Sequence, residues 1–287
     1  MTAIALALIA SIGYGVSDFV GGLASRRVAA LRVVIVSYPL SAVILILIAP
    51  FAGGGPDVAT LWWGAAAGVA SGLAVWWFYA ALARGPMAVV SPLTAVLSAG
   101  VPIVIGLVVG DRPSPAAYVG IVCAVVAVVL VSKESPDKVT EEITGGRELR
   151  FDRRIAVLTV GSGVAFGLMF VFLHESAAAP GLWPVLMSRL SATVVVWVAA
   201  MTTGNFHRPR GEPLRLAFYV SVLDVAANVA MLYAFHGSML SLVSVIGSLY
   251  PAATVLLAMV LLGERVGLLQ RIGMVLALGS VALIATG

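Results

Sequence analysis

Three charged residues, Asp18, Arg189 and Asp224, lie inside long apolar runs of this sequence. A charge deep in such a run costs about 2.5–3.5 kcal/mol on insertion scales and faces a partner or a wet cavity. Their chemistry is therefore ion pairing, capture of a charged group, or proton carriage. An arginine cannot conveniently give up its charge, whereas either carboxylate can in principle take a proton. Each residue belongs to a polar stripe at helical spacing. Asp18 joins Tyr14 and Ser11, Asp224 joins Ser221 and Asn228, and Arg189 joins Thr193. Two hydroxyl ladders run beside them, Ser91 with Thr94 and Ser98, and Ser241 with Ser244 and Ser248. Tyr14 and Tyr250 are the deep aromatics suited to an organic solute. A hydroxyl by itself more often bonds its own helix or joins two helices.

Other chemistries find little footing. His174, His207 and His236 fall in separate segments, and Cys123 is the single cysteine. Neither spacing suits a metal or a disulfide framework. His174, Glu175 and His236 are expected near an outer mouth as solvated groups. Lys133 and Lys138 follow no glycine-rich phosphate loop, so ATP hydrolysis by this chain is not expected. No catalytic residue, metal or cofactor is expected. An intramembrane enzyme would need a coupled nucleophile and base. A non-transporting membrane scaffold would have no need of buried charge.

The elements holding these residues follow from composition. Of 287 residues, 61% are hydrophobic and 10% charged, against roughly 25% charged in soluble domains. That excludes a soluble enzyme or a nucleic-acid binder. A membrane helix needs about 20 apolar residues, and ten such spans are predicted: 3–23, 32–51, 60–82, 87–109, 115–132, 154–173, 182–202, 214–235, 240–262 and 267–286. At 1.5 Å rise per residue, Asp224 lies ~15 Å into its span, Arg189 ~10 Å and Asp18 ~8 Å from the nearer end.

Residues 133–153 are rich in charge and form a linker between segments 1–132 and 154–287, five spans each. Fifteen of the 17 Lys and Arg residues fall in, or within a few residues of, connections that share one side, Arg112 alone occupies the other, and Arg189 is deep inside a span. The positive-inside rule puts the linker in the cytoplasm and both termini outside the cell membrane. The first span lacks a basic leader, so it is read as a membrane helix and not as a signal peptide.

The segments repeat at a shift of 153. Val90-Ser91 meets Val243-Ser244, Gly110-Asp111-Arg112 meets Gly263-Glu264-Arg265, and Gly120 meets Gly273. Five spans is an odd number, so the second copy enters the membrane inverted, and the loop charges agree. Inverted repeats recur among transporters, with the site between the copies.

Leu261-Leu262-Gly263-Glu264-Arg265, then Gln270, Gly273 and Gly279-Ser280-Val281-Ala282-Leu283-Ile284, resembles the close of an EamA domain of the drug/metabolite transporter superfamily. The first copy departs from the motif with Asp111 in place of the usual Glu. The resemblance covers the whole chain as two tandem domains. It implies an all-α, ten-helix secondary transporter, commonly an exporter of amino acids, metabolites or drugs. The partners expected are the lipid bilayer and a small organic solute, with proton coupling through Asp18 or Asp224 as an option. No nucleic acid is expected, and a monomer suffices. The candidate pathway residues are Tyr14, Asp18, Ser91, Ser98, Arg189, Asp224, Asn228, Ser244 and Tyr250. Arg189 is expected to pair with Asp224, or with a carboxylate on the solute.

Overall fold

The computed structural model describes residues 2–25, 27–82, 87–131, 153–177, 181–236, 238–250 and 268–286, together with 253, 256, 257, 260 and 261. Ten α-helices are found among them. They are α1 (Thr2–Ser25), α2 (Ala30–Ile48), α3 (Val58–Leu82), α4 (Met87–Val109), α5 (Pro115–Val131), α6 (Arg153–Ser176), α7 (Trp183–Thr202), α8 (Glu212–Phe235), α9 (Leu240–Gly247) and α10 (Leu268–Thr286). Among the described residues, six stretches are long and apolar enough to cross a bilayer, one each from α1, α2, α3, α6, α7 and α8. A 24-residue helix is ~36 Å long, enough for a hydrocarbon core of about 30 Å.

Breaks follow local chemistry. Asp57 starts α3 by accepting hydrogen bonds at Oδ2 from the Thr60 amide (3.1 Å) and hydroxyl (2.9 Å), as an N-cap does. Those donors hold its carboxyl below the usual carboxylate range. The expected span 240–262 is not continuous. After α9 the chain turns at Ser248–Leu249. Helical residues resume at Tyr250, and Pro251 is a residue type with no amide hydrogen to offer a carbonyl one turn back, which suits a break in this part of the sequence. Much of the rest of that span, and the linker up to residue 152, lies outside the described residues.

The packing partners are mostly distant in sequence. Helix α1 lies along α8, α3 lies along both α6 and α7, and α5 lies along α10. Helix α4 packs on α6 and α9, and α2 packs on both α7 and α8. Small residues permit the closest of these approaches. A Cβ on Gly64 or Gly68 would run into the α7 backbone at Pro184 or Ser188, and one on Gly163 into Leu97 and the Thr94 carbonyl of α4. Ser191 of α7 donates to the Ala65 carbonyl of α3 at 2.9 Å. The glycine stripes on α3 and α6 are thus seams of close contact.

A further side-chain link joins the α4–α5 connection to α9. Asp111, in the α4–α5 connection, accepts at Oδ2 from the Ser241 amide (2.9 Å) and the Ser241 hydroxyl (2.6 Å). It serves the first turn of α9, whose amides have no partner within the helix.

Candidate functional site

An ion pair sits where α1, α2, α7 and α8 meet. Arg189 Nε on α7 lies 3.2 Å from Asp224 Oδ2 on α8, with the side chains 2% and 13% exposed. The pairing expected between these residues is present, although their helices touch only lightly. Helix α2 packs on both and completes the site. Its Tyr38 ring lies under the Arg189 guanidinium, 5.0 Å from Cζ to the ring centroid, a cation–π contact that strengthens away from water. Its Ser41 hydroxyl lies 3.1 Å from Asp224 Oδ2 and 3.2 Å from the Ser221 carbonyl. Asn228, one turn along α8, donates to Asp224 Oδ1 at 3.1 Å and to the Asp224 carbonyl at 2.7 Å. Behind Tyr38, its hydroxyl and the Ser71 hydroxyl of α3 are 3.5 Å apart.

The carboxylate and the guanidinium are unequally served. Asp224 has Ser41 on one oxygen and Asn228 on the other. Arg189 has the ion pair and the ring, but among the described residues its Nε–H and its buried Nη1 make no well-aligned hydrogen bond. The Tyr14 hydroxyl, on α1, is also buried without a hydrogen bond among the described residues. The charges of Arg189, Asp224 and Asp18 lie within reach of it. Asp18, one turn further along α1, is accessible, and its charge is within reach of Asp224 and of Tyr250. Tyr250 follows the turn after α9 and is half-buried.

The structure therefore gathers Tyr14, Asp18, Arg189, Asp224, Asn228 and Tyr250 into one region. The hydroxyl ladders are engaged differently. Ser98 donates to the Ala95 carbonyl of its own helix at 2.9 Å. Thr94 and Ser162 meet at 3.2 Å and join α4 to α6. Ser244 is buried with its hydroxyl unbonded among the described residues, and Ser241 donates to Asp111. The side chain of Ser91 lies outside the described residues. Thr193 turns back to the Arg189 carbonyl at 2.7 Å. Toward the end of α6, His174 Nε2 lies 3.3 Å from the Ser238 carbonyl, with its ring edge-on to Phe235.

Sequence reasoning missed Tyr38, Ser41 and Ser71. Ser37, Tyr38 and Ser41 fall at i, i+1 and i+4 in the second span, and that spacing was the signal available for α2.

Two copies of one family pattern, the EamA-like transporter family, match residues 1–133 and 153–286. The chain belongs to the EamA-like transporter family. Among curated proteins none matches the chain. A solved crystal structure, titled only as that of a protein, is similar over 98% of this chain and 94% of its own, with a TM-score of 0.75 and 15% sequence identity. At that identity the likeness concerns the fold. Membership in a family of transporters, together with the apolar helices, makes this a multi-pass membrane protein of the drug/metabolite transporter type. The EamA segments meet at the ion pair: α1 and α2 come from the first, α7 and α8 from the second.

Proposed function

We propose that the protein is a secondary transporter that exports small organic solutes by alternating access across the cell's inner membrane. The observation that carries this reading is the buried Arg189–Asp224 pair, with Tyr38 beneath the guanidinium, at the seam between the two EamA segments. In a purely structural bundle a buried ion pair is often no better than packed apolar residues, so its presence here fits a working site. The pathway runs past Asp18, Arg189, Asp224 and Tyr250. Asp18 or Asp224 carries the coupling proton.

We further read ten membrane spans in two inverted copies, 1–132 and 154–287, with 133–153 cytoplasmic and both termini outside. The packing supports the repeat. Shifting each helix number by five exchanges the α1–α8 contact with α3–α6, and maps α2–α7, α4–α9 and α5–α10 onto themselves. A two-fold relation between the copies has that property.

Purified protein in liposomes is expected to move labelled solutes of the class that it exports from cells, with no nucleotide present and with a rate that follows an imposed pH gradient. A need for ATP would end the secondary-transport reading. A rate indifferent to the gradient would end proton coupling and leave facilitated diffusion or exchange. For orientation, an alkaline phosphatase fused after Gly287 is expected to be active and one fused within 133–153 silent. The reverse pattern would invert the topology.

A further inference from the structure

The turn between α4 and α5 is built to reach another helix. Gly110 has a φ of +127°, and the Gly110 and Asp111 amides both donate to the Gly106 carbonyl, at 3.0 and 2.8 Å. A positive-φ glycine of this kind ends a helix by folding the chain back over its last turn. Arg112 Nη1 donates to the Leu107 carbonyl at 3.2 Å and to the Asp111 carbonyl at 2.9 Å, which ties the turn to its own helix. The Asp111 carboxylate reaches across to the second EamA segment instead. Its Oδ2 takes both the amide and the hydroxyl of Ser241, a residue with no exposed surface. Gly106 permits the approach. A Cβ there would stand 2.5 Å from Asp111 Oδ2 and 3.2 Å from the Ser241 amide nitrogen, so a side chain would push the carboxylate away.

In the ten-span arrangement, the end of α4 and the start of α9 share the outer end of the bundle with the last turns of α6 and α8. That end is closed. Leu240, Phe235 and Leu173 are all buried, and His174 Nε2 lies against the Ser238 carbonyl. Asp18 lies near the opposite end of α1 and is exposed. Nine residues at about 100° each amount to two and a half turns, so Asp18 faces away from Ile9. Ile9 is 55% exposed and is the face turned to lipid. Asp18 therefore opens on a crevice and not on the bilayer. Gly22, one turn further on, would meet nothing within 4 Å with an added Cβ. The bundle is sealed at the Asp111 end and open at the Asp18 end.

We propose that the Asp111–Ser241 bond is the latch of the outer gate. It holds the α4–α5 turn against the start of α9 while the pathway is open to the inside, and it parts when solute leaves. This rests on the alternating-access reading. The chemistry suits a contact that is made and broken. A carboxylate gains from the unpaired amides and positive end of a helix start, yet each of these groups finds water once they separate. The glycine seams of α3 on α7 and of α6 on α4 have no such substitute and fit parts that stay together.

The test uses purified, intact protein in detergent, with Cys123→Ser so that one introduced thiol is present at a time. Ser244→Cys reports from one turn below the latch, where Ser244 is fully buried. Asp18→Cys reports from the open crevice. Each is labelled with a small charged methanethiosulfonate. The latch is broken in two ways: Asp111→Ala removes the carboxylate, and Gly106→Ala keeps it but fills its place. Either change is expected to speed labelling at position 244 about tenfold and to slow labelling at position 18 by about half. Opposite signs mark an exchange between two states. A bond that is merely structural would loosen the outer end and leave position 18 as it was, or expose both. Unchanged labelling at 244, or labelling at 18 that is unchanged or faster, would overturn the gate. Ser241→Ala, which removes the hydroxyl alone, is expected to give smaller shifts of the same signs and serves if the other variants do not fold. Reciprocal labelling in a protein that moves no solute in liposomes would keep the gate and remove transport. Transport without reciprocal labelling would remove the gate alone.

Discussion

Asp224→Ala is expected to damage the folded protein more than Arg189→Ala, and the double substitution less than Asp224→Ala alone. Breaking a buried pair costs about 3–5 kcal/mol in soluble proteins because one charge is stranded. The two charges here are stranded unequally. Without Arg189, Asp224 keeps Ser41 and Asn228. Without Asp224, Arg189 keeps the neutral Tyr38 beneath it at 2% exposure. Thermal unfolding of the four proteins as a double-mutant cycle measures the coupling. Arg189→Ala is expected to be well expressed yet to lose transport at least tenfold, and the second substitution to recover stability without recovering transport. Recovery of both would make the pair purely structural. Wild-type transport by well-expressed Arg189→Ala would remove Arg189 from the pathway.

The second large effect is expected at Gly68. A Cβ there would press into the Ser188 carbonyl group, with its carbon 2.7 Å away, and into the Ser191 hydroxyl. The obstacle at Ser188 is backbone, which cannot rotate aside, so α7 itself must move. Overpacking of this kind costs about 1–3 kcal/mol. Arg189 is the next residue along, so the shift also displaces the guanidinium from Tyr38 and Asp224. Gly68→Ala is expected to lower the thermal midpoint by several degrees and to weaken transport. Gly22→Ala, with nothing within 4 Å of its added carbon, is expected to do neither and to gain slightly in helix propensity. Equal midpoints for the two variants would refute the close α3–α7 contact.

The helices were legible because apolar length is a coarse, redundant signal that survives errors of a few residues at each end. The stripes on the first and eighth spans were legible because a charge in apolar sequence has few inexpensive explanations. Hydroxyls were not separable in that way. Ser98 spends its bond on Ala95 in its own helix and Thr94 meets Ser162, whereas Ser41 reaches Asp224. In sequence these residues are alike, since the local carbonyl is always on offer. Tyr38 was hidden for another reason. What makes it important is the guanidinium above it, 151 positions later in the chain. The break after α9 was half-visible. Pro251 announces a lost hydrogen bond, but a proline kinks some helices and ends others, and only the structure shows the turn at Ser248–Leu249.

The cross-wise packing has a consequence for biosynthesis. The most extensive neighbours of α1, α3 and α5 are α8, α6 with α7, and α10, none of which exists when the ribosome has finished Val131. At about 5–20 residues per second, roughly 5–20 s pass before the chain reaches Phe235. During that interval α1 waits in lipid with its seam uncovered. The waiting helices are tolerated because lipid tails suit their apolar faces, while polar groups such as Asp18 must find water or a temporary companion. The newborn first segment is therefore a set of inserted helices rather than a finished fold, and the arrival of α6 to α8 is the step that makes it a protein.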